Sequence, residues 1–174
     1  SFGTPYFTGL PVGRSEEKRV RTALLAVAAG LPIPEPLPPK RNIPDGSSGA
    51  RSVLLIGEPL LNESLRACLE KLDEVLAVTC ASFFTSDEAM QGTGVLALAC
   101  EDEAAALLSD GVWDLVIGDP LLKALAPEIP SIRFLSLPHA AVSGRLYREF
   151  RLRLFGAAGE SLFVSALGGR HVPA

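Results

Sequence analysis

His139 and Asp119 are two residues whose types and positions could do chemistry. His139 follows Leu137 and Pro138 at the end of an apolar run, and an imidazole in such a loop can bind a metal ion or donate a proton. It can also be a loop histidine whose nitrogens are satisfied by backbone groups. Asp119 precedes Pro120, so its carboxylate could contact a ligand or cap a helix.

A cluster of arginines near the C-terminal end is the other candidate, because the sequence predicts that they share a closing helix over residues 144–158. The cluster could meet an acidic partner or an anionic ligand, or it could form a solvated helix face. Its members are Arg145, Arg148, Arg151 and Arg153.

Several cofactor motifs are absent from the sequence. Only one glycine, Gly57, stands before Glu58 where a GxGxxG motif would be needed, so NAD and FAD are not expected. Neither GxxxxGK[ST] nor GxSxG occurs, which argues against a Walker-type phosphate loop and a hydrolase nucleophile. The three cysteines, at 68, 80 and 100, form no CxxC pair. This pattern excludes a zinc ribbon and fits a reducing cytoplasm.

Hydrophobic patterning predicts the elements that position these residues. From residue 51 onward, short apolar runs alternate with helical segments, which is typical of βαβ units and a parallel sheet. We predict strands at 51–57, 74–81, 94–100, 113–119 and 131–137. The predicted fold is a three-layer α/β fold, an open, doubly wound parallel sheet (Rossmann-like, about five strands) in the order 3-2-1-4-5.

Helices are predicted between these strands, at 59–72, at 102–108 with Asp102 as its cap, and from Pro120 to Pro127. Ligands of such sheets lie beyond the carboxyl ends of the strands. Gly57 and Glu58 end the first strand, and Gly118 and Asp119 end the fourth. We therefore expect these four residues to border a cofactor or substrate.

The N-terminal part of the chain has a different composition. For residues 1–30 we predict an arm and a helix that belong to a preceding domain. Ser15 is the expected N-cap of this helix, and Gly30 is expected at its end. Residues 31–50 are rich in Pro and Gly and predict a linker. The Rossmann-like domain is then expected over residues 51–170.

Composition and charge exclude several classes of protein. The 174 residues carry a net charge of −4, whereas a nucleic-acid-binding protein would have a basic surplus. No apolar run reaches the roughly 18 residues of a membrane span, and the first residues do not resemble a secretory signal. We therefore expect neither nucleic acid nor membrane as a partner.

Four sequence segments are informative because of their order and spacing, more than because of any single motif. They are FGTPYFTGLPVGRSEEKRVRTALLAVAAGLP, RSVLLIGEPLLNESLRACLEKL, VWDLVIGDPLLKALAPEIPSIRF and LPHAAVSGRLY. With these segments, residues 2–155 resemble the C-terminal part of the nitrogenase component 1 type oxidoreductase family. The Pro-rich residues 31–50 replace a long charged helix of that family, which indicates a divergent paralogue.

The resemblance implies a function for a longer protein of which this chain is the C-terminal domain. That protein would hold an iron-sulfur cluster or a related metallocofactor and reduce a small-molecule substrate. Its partners would be a second component 1-type subunit and an ATP-dependent iron protein, in the cytoplasm. This chain would form one wall of the cavity, and by itself it would bind no cofactor and be inactive.

The resemblance also implies site residues in the fourth segment. Ser143 and Gly144 match the Ser-Gly of a family loop at the cofactor site, and His139 is the nearest candidate for a metal ligand. The alternative function is a non-catalytic, small-molecule-binding module of the same Rossmann-like fold. That alternative predicts an organic ligand at the strand ends and no metal.

Overall fold

The central feature of the computed structural model is a five-stranded parallel sheet in the order β3-β2-β1-β4-β5. The structure describes residues 7–33, 51–84, 94–125, 132–147 and 152–168. The strands are β1 (Arg51–Ile56), β2 (Val75–Ser82), β3 (Val95–Ala97), β4 (Leu115–Gly118) and β5 (Arg133–Ser136). The predicted fold class and strand order are confirmed.

Helices connect and cover the strands. They are α1 (Gly13–Ala28), α2 (Pro59–Leu69), α3 (Glu101–Asp110), a 3₁₀ helix (Pro120–Ala124) and α4 (Gly156–Leu167). Within the ranges given above, no helix has both the length and the apolar character that crossing a bilayer requires.

The two faces of the sheet build two separate cores, because successive side chains of a strand point to opposite faces. In β1, Val53 and Leu55 join the core beneath α2 and α4, and this core includes Leu65 and Phe163. Leu54 and Ile56, which alternate with these two residues along the strand, join the core beneath α3 and the 3₁₀ helix. This arrangement is the three-layer packing of a doubly wound sheet.

Helix α1 packs against α2 and α4, which cover the core that includes Leu65 and Phe163. Val12, just before the helix, is fully buried there, and it forms a β-bridge with Phe155. Glu16 is buried and pairs with Arg19 at 2.6 Å and with Lys71, just beyond α2, at 2.8 Å. Residues 13–28 therefore pack onto the sheet domain, whereas the predicted linker from residue 34 to 50 lies outside the described residues.

Two predicted helix starts are wrong. Helix α1 begins at Gly13 rather than after Ser15, because Gly13 has a φ of +71° and donates its N–H to the Leu154 carbonyl, which turns the chain into the helix. Helix α3 has Cys100, not Asp102, at its N-cap. The carboxylate that reaches back is that of Glu103, which accepts the Ala99 N–H at 2.8 Å.

The predicted closing helix over residues 144–158 is also wrong. Residues 140–146 form turns, 152–154 have no regular structure, and the helix begins at Gly156. Ser143 and Gly144 donate their N–H groups to the His139 carbonyl, which holds the chain in a tight turn. Arg145 and Arg153 consequently share no helix face, and the predicted partners Arg148 and Arg151 lie outside the described residues.

Candidate functional site

The carboxyl ends of β1 and β4 lie side by side in the sheet. Ile56 pairs with Gly118, so the sequence-predicted pairs Gly57–Glu58 and Gly118–Asp119 do come together at this edge, here called the carboxyl edge. Strand β1 pairs with β2 on its other side, which makes the β1–β4 junction the place where the strand order reverses. Doubly wound sheets bind ligands at such a junction.

Glu58 uses its carboxylate to cap α2. It accepts the N–H groups of Leu60 at 3.0 Å and Leu61 at 2.9 Å, and Pro59 occupies the first helical turn. A helix N-terminus of this kind can bind a phosphate through free N–H groups. Because the protein's own carboxylate occupies them here, this end of the edge does not favour a phosphate.

Asp119 joins the end of β4 to the loop that follows β5. One carboxylate oxygen, Oδ1, accepts the Leu121 N–H at 3.0 Å and caps the 3₁₀ helix. The other, Oδ2, accepts the His139 N–H at 2.9 Å and the buried Ser143 hydroxyl at 2.5 Å. Asp119 thus fixes residues 137–147, here called the site loop, against the carboxyl edge.

Ser143 and Gly144 have structural positions in the site loop. The Ser143 hydroxyl is engaged by Asp119, and both residues donate backbone N–H groups to the His139 carbonyl at 3.0 and 2.9 Å. A Cβ on Gly144 would lie 2.9 Å from the Ala140 Cα. The turn therefore requires glycine at 144, and Ser143 contributes its hydroxyl to the fold of the loop.

His139 stacks on Phe84, with 4.5 Å between ring centroids and 22° between ring planes. Its Nδ1 accepts the Ala141 N–H at 3.2 Å. Because a backbone N–H can only donate, Nδ1 is the acceptor, and Nε2 of the neutral ring carries the proton. His139 is thereby arranged as a hydrogen-bond donor. Metal binding through Nε2 would require the Ala141 bond to break, so its predicted role as a metal ligand stays a prediction.

The stacked pair spans the middle of the sheet. Phe84 follows β2 and is positioned by its N–H bond to the Ser82 hydroxyl at 3.1 Å, whereas His139 follows β5. In the strand order, β1 and β4 lie between β2 and β5. The Phe84–His139 contact therefore bridges the junction of β1 and β4 at the carboxyl edge. Phe84 could not be predicted as a site residue, because nothing local in FFTS indicates a stacking partner.

Asn62 ties the ends of β1 and β2 together, and it was not among the predicted site residues. It is 2% exposed, and its Nδ2 donates to the Ala81 carbonyl at 2.9 Å and to the Gly57 carbonyl at 3.3 Å. A signal was present, since Asn62 precedes Leu65 and Leu69 at helical spacing on the buried face of α2. A polar residue at such a core position must find partners.

An open cleft of about 440 Å³ lies beside the site loop. Its polar side chains are Arg145 and Tyr147, both exposed. Its apolar lining comes from the site loop and from the segment before α4, namely Leu137, Pro138, Ala140, Leu152 and Leu154. The cleft combines one cationic group, one phenol and an apolar wall.

The cysteine thiols do not add a ligand set to this edge. Burial raises the pKa of Cys68 and that of Cys80 to about 11, and nearby carboxylates add to the effect. Both are therefore neutral thiols at pH 7, and Cys100 is exposed at the start of α3. In the part of the chain that the structure describes, no three His, Cys, Asp or Glu side chains are grouped closely enough to hold a metal ion.

The sequence was compared with known families and proteins. No family model matches the chain, and no curated protein matches it. The resemblance to the component 1 family thus remains a prediction.

Proposed function

We propose that this chain is the domain that forms one wall of the substrate or cofactor cavity in a nitrogenase component 1 type oxidoreductase. The wall is the carboxyl edge with the site loop. In this proposal a longer protein works with a second component 1-type subunit and an ATP-dependent iron protein, which supplies the electrons. The iron-sulfur cluster or related cofactor is held mainly by residues outside this chain.

The observation that carries the proposal is the bond between Asp119 and Ser143. Asp119 belongs to the third segment of the resemblance and Ser143 to the fourth, and their side chains meet at 2.5 Å. The first two segments also meet, because Glu16 of α1 pairs with Lys71 just beyond α2 at 2.8 Å. The four segments are thus joined in pairs by specific polar contacts, and the pair of the third and fourth segments forms the proposed wall.

His139 has a defined role in this wall. Its Nδ1 is engaged by the Ala141 N–H at 3.2 Å, so Nε2–H is the group left to donate a hydrogen bond to a ligand. Stacking on Phe84 fixes the ring plane, which sets the direction of that donor. A fixed donor of this kind can orient a polar group of a substrate.

A second candidate function is a non-catalytic, small-molecule-binding module. It is favoured by the cleft beside the site loop, which combines Arg145 and Tyr147 with apolar side chains. A binding module requires no cluster and no partner subunit.

Iron and acid-labile sulfide in the full-length gene product test the proposal. The protein is purified without oxygen and co-expressed with any neighbouring subunit. We expect several iron atoms per subunit with matching sulfide. A folded, metal-free protein would contradict the oxidoreductase proposal and favour the binding module.

The His139→Ala variant separates two roles of the histidine. If His139 orients substrate as a hydrogen-bond donor, the variant retains its iron and loses substrate reduction. If His139 is a metal ligand, the variant loses iron as well. Ala141→Gly is a matched control, because it alters the same turn and keeps both the imidazole and the backbone N–H that binds it.

A further inference from the structure

Arg145 is a cation without a counter-charge in the described structure. Among the described residues none forms a hydrogen bond or an ion pair with its guanidinium, and no acidic residue is among those that line its cleft. Tyr147 lies in the same cleft, and its hydroxyl likewise has no described partner. Both groups are exposed, so a ligand that binds there displaces no polar contact between described residues.

A second cleft, of about 330 Å³, differs from the cleft at Arg145 in how its cations are paired. It is also lined by cations, but Lys71 pairs with Glu16 at 2.8 Å, and Arg14 lies 3.9 Å from Glu160. Two of its three cations are therefore already paired with carboxylates, and a carboxylate, that of Glu160, belongs to its lining. The cleft at Arg145 has no acidic residue among its described lining residues, so the charge of Arg145 is available to an anion.

The charge of the neighbouring edge favours a singly charged ligand. Glu58 and Asp119 both place carboxylates at the ends of adjacent strands, and these repel a doubly charged phosphate. A guanidinium forms two parallel hydrogen bonds with one carboxylate, and a phenol supplies a further donor. The remaining wall is formed by Leu137, Pro138, Leu152 and their neighbours, so it accepts an apolar body.

We propose that the cleft at Arg145 and Tyr147 binds the carboxylate of an organic acid whose apolar body lies on the leucine-lined wall. This inference deepens the proposed function and rests on it for the cleft's place in the substrate cavity. Arg145 is the residue that recognises the carboxylate, and Tyr147 supports it.

Dansylglycine and dansylamide test this proposal by fluorescence titration of the chain. They share one apolar fluorophore, and only dansylglycine has a carboxylate. We expect saturable binding of dansylglycine that is at least about tenfold tighter than that of dansylamide, since charge-assisted hydrogen bonds are the strong ones. Arg145→Gln should weaken the binding of dansylglycine by about tenfold or more and leave the binding of dansylamide unchanged.

Two further variants complete the design. Arg153→Gln removes the same charge from an exposed position that does not line the cleft, and it should bind both probes as the wild type does. Ala140→Phe fills the cleft and should weaken both probes. Equal dansylglycine affinity in Arg145→Gln and Arg153→Gln would overturn the proposal, and so would a wild type without saturable binding.

The two proposals can fail separately. Binding of the probes is measured on this chain and involves no metal, whereas the family assignment is tested by iron and sulfide in the full-length protein. A metal-free gene product whose dansylglycine affinity depends on Arg145 would refute the oxidoreductase and keep the carboxylate site.

Discussion

Replacing Asp119 by alanine should release the site loop from the carboxyl edge. The substitution removes three hydrogen bonds, to the N–H groups of Leu121 and His139 and to the Ser143 hydroxyl. The first of these caps the 3₁₀ helix, and the other two fix the loop. Ser143 is fully buried, so its hydroxyl loses its partner without gaining water.

The expected loss follows from these three bonds. A lost helix cap costs about 1 kcal/mol, and a lost backbone hydrogen bond costs about 1 kcal/mol. An unpaired buried hydroxyl adds about 1–3 kcal/mol. Because the loop can relax, we expect the free energy of unfolding to fall by about 2–4 kcal/mol. With a typical urea m-value of about 2 kcal/mol/M, the unfolding midpoint falls by about 1–2 M.

Urea unfolding followed by circular dichroism measures this change. Asp110→Ala is the matched control, because it removes the same carboxylate from an exposed position at the end of α3. It should alter the free energy of unfolding by less than about 0.5 kcal/mol.

The Asp119→Ala, Ser143→Ala double-mutant cycle isolates the side-chain bond. We expect a coupling free energy of about 1 kcal/mol or more between residues in direct contact. Either of two results would contradict this: Asp119→Ala is as stable as Asp110→Ala, or the cycle shows no coupling. In both cases Asp119 does not hold the site loop, and the loop is not a fixed wall.

Three further predictions concern Asn62 and the cysteines. Asn62→Ala should lower the free energy of unfolding by about 2–3 kcal/mol in the same urea assay, because the carbonyls of Gly57 and Ala81 lose their shared donor; a loss below about 0.5 kcal/mol would contradict its role as a clamp. A thiol reagent at pH 8 should modify one cysteine of the folded chain, the exposed Cys100, and Cys100→Ser should abolish this reaction; rapid modification of a second thiol would show that the core opens. Burial raises the pKa of the Cys80 thiol from 9.0 to about 11. Between these two pH values the folded state keeps a proton that the unfolded state loses. The contribution of the Cys80 thiol to stability is therefore complete below pH 9 and should be lost as the pH rises to 11. Urea unfolding at pH 8 and pH 10 should show a smaller loss for Cys80→Ala than for the wild type, and equal losses would contradict the linkage.

The sheet could be predicted from the sequence because its signals are local and repeated. Each strand is a short apolar run, and in β4 all four residues are buried. The order of the strands follows from general rules on crossovers. The closing helix could not be predicted in the same way. It begins at Gly156, whose N–H binds the carbonyl of Pro11, a residue from a distant part of the sequence.

For the site residues, the position could be predicted from the sequence, but the role could not. The pattern placed Gly57, Glu58, Gly118 and Asp119 at one edge, because carboxyl ends of parallel strands meet there. It could not show that both carboxylates are used as helix caps, since a cap and a ligand contact require the same residue type at the same position. Only the three-dimensional partners of an acidic side chain distinguish these two roles.

The capped helices also indicate where on this edge a ligand can bind. In doubly wound sheets that bind nucleotides, the helix N-terminus after the first strand supplies N–H groups to phosphate. Here Glu58 accepts two of those N–H groups, and the Phe84–His139 pair bridges the junction that a nucleotide would use. Among the described residues of the site loop, three polar groups have no protein partner: the His139 Nε2–H, the Arg145 guanidinium and the Tyr147 hydroxyl. If the proposals above hold, a ligand is therefore recognised by the loop that Asp119 holds in place and not by the helix N-terminus after the first strand.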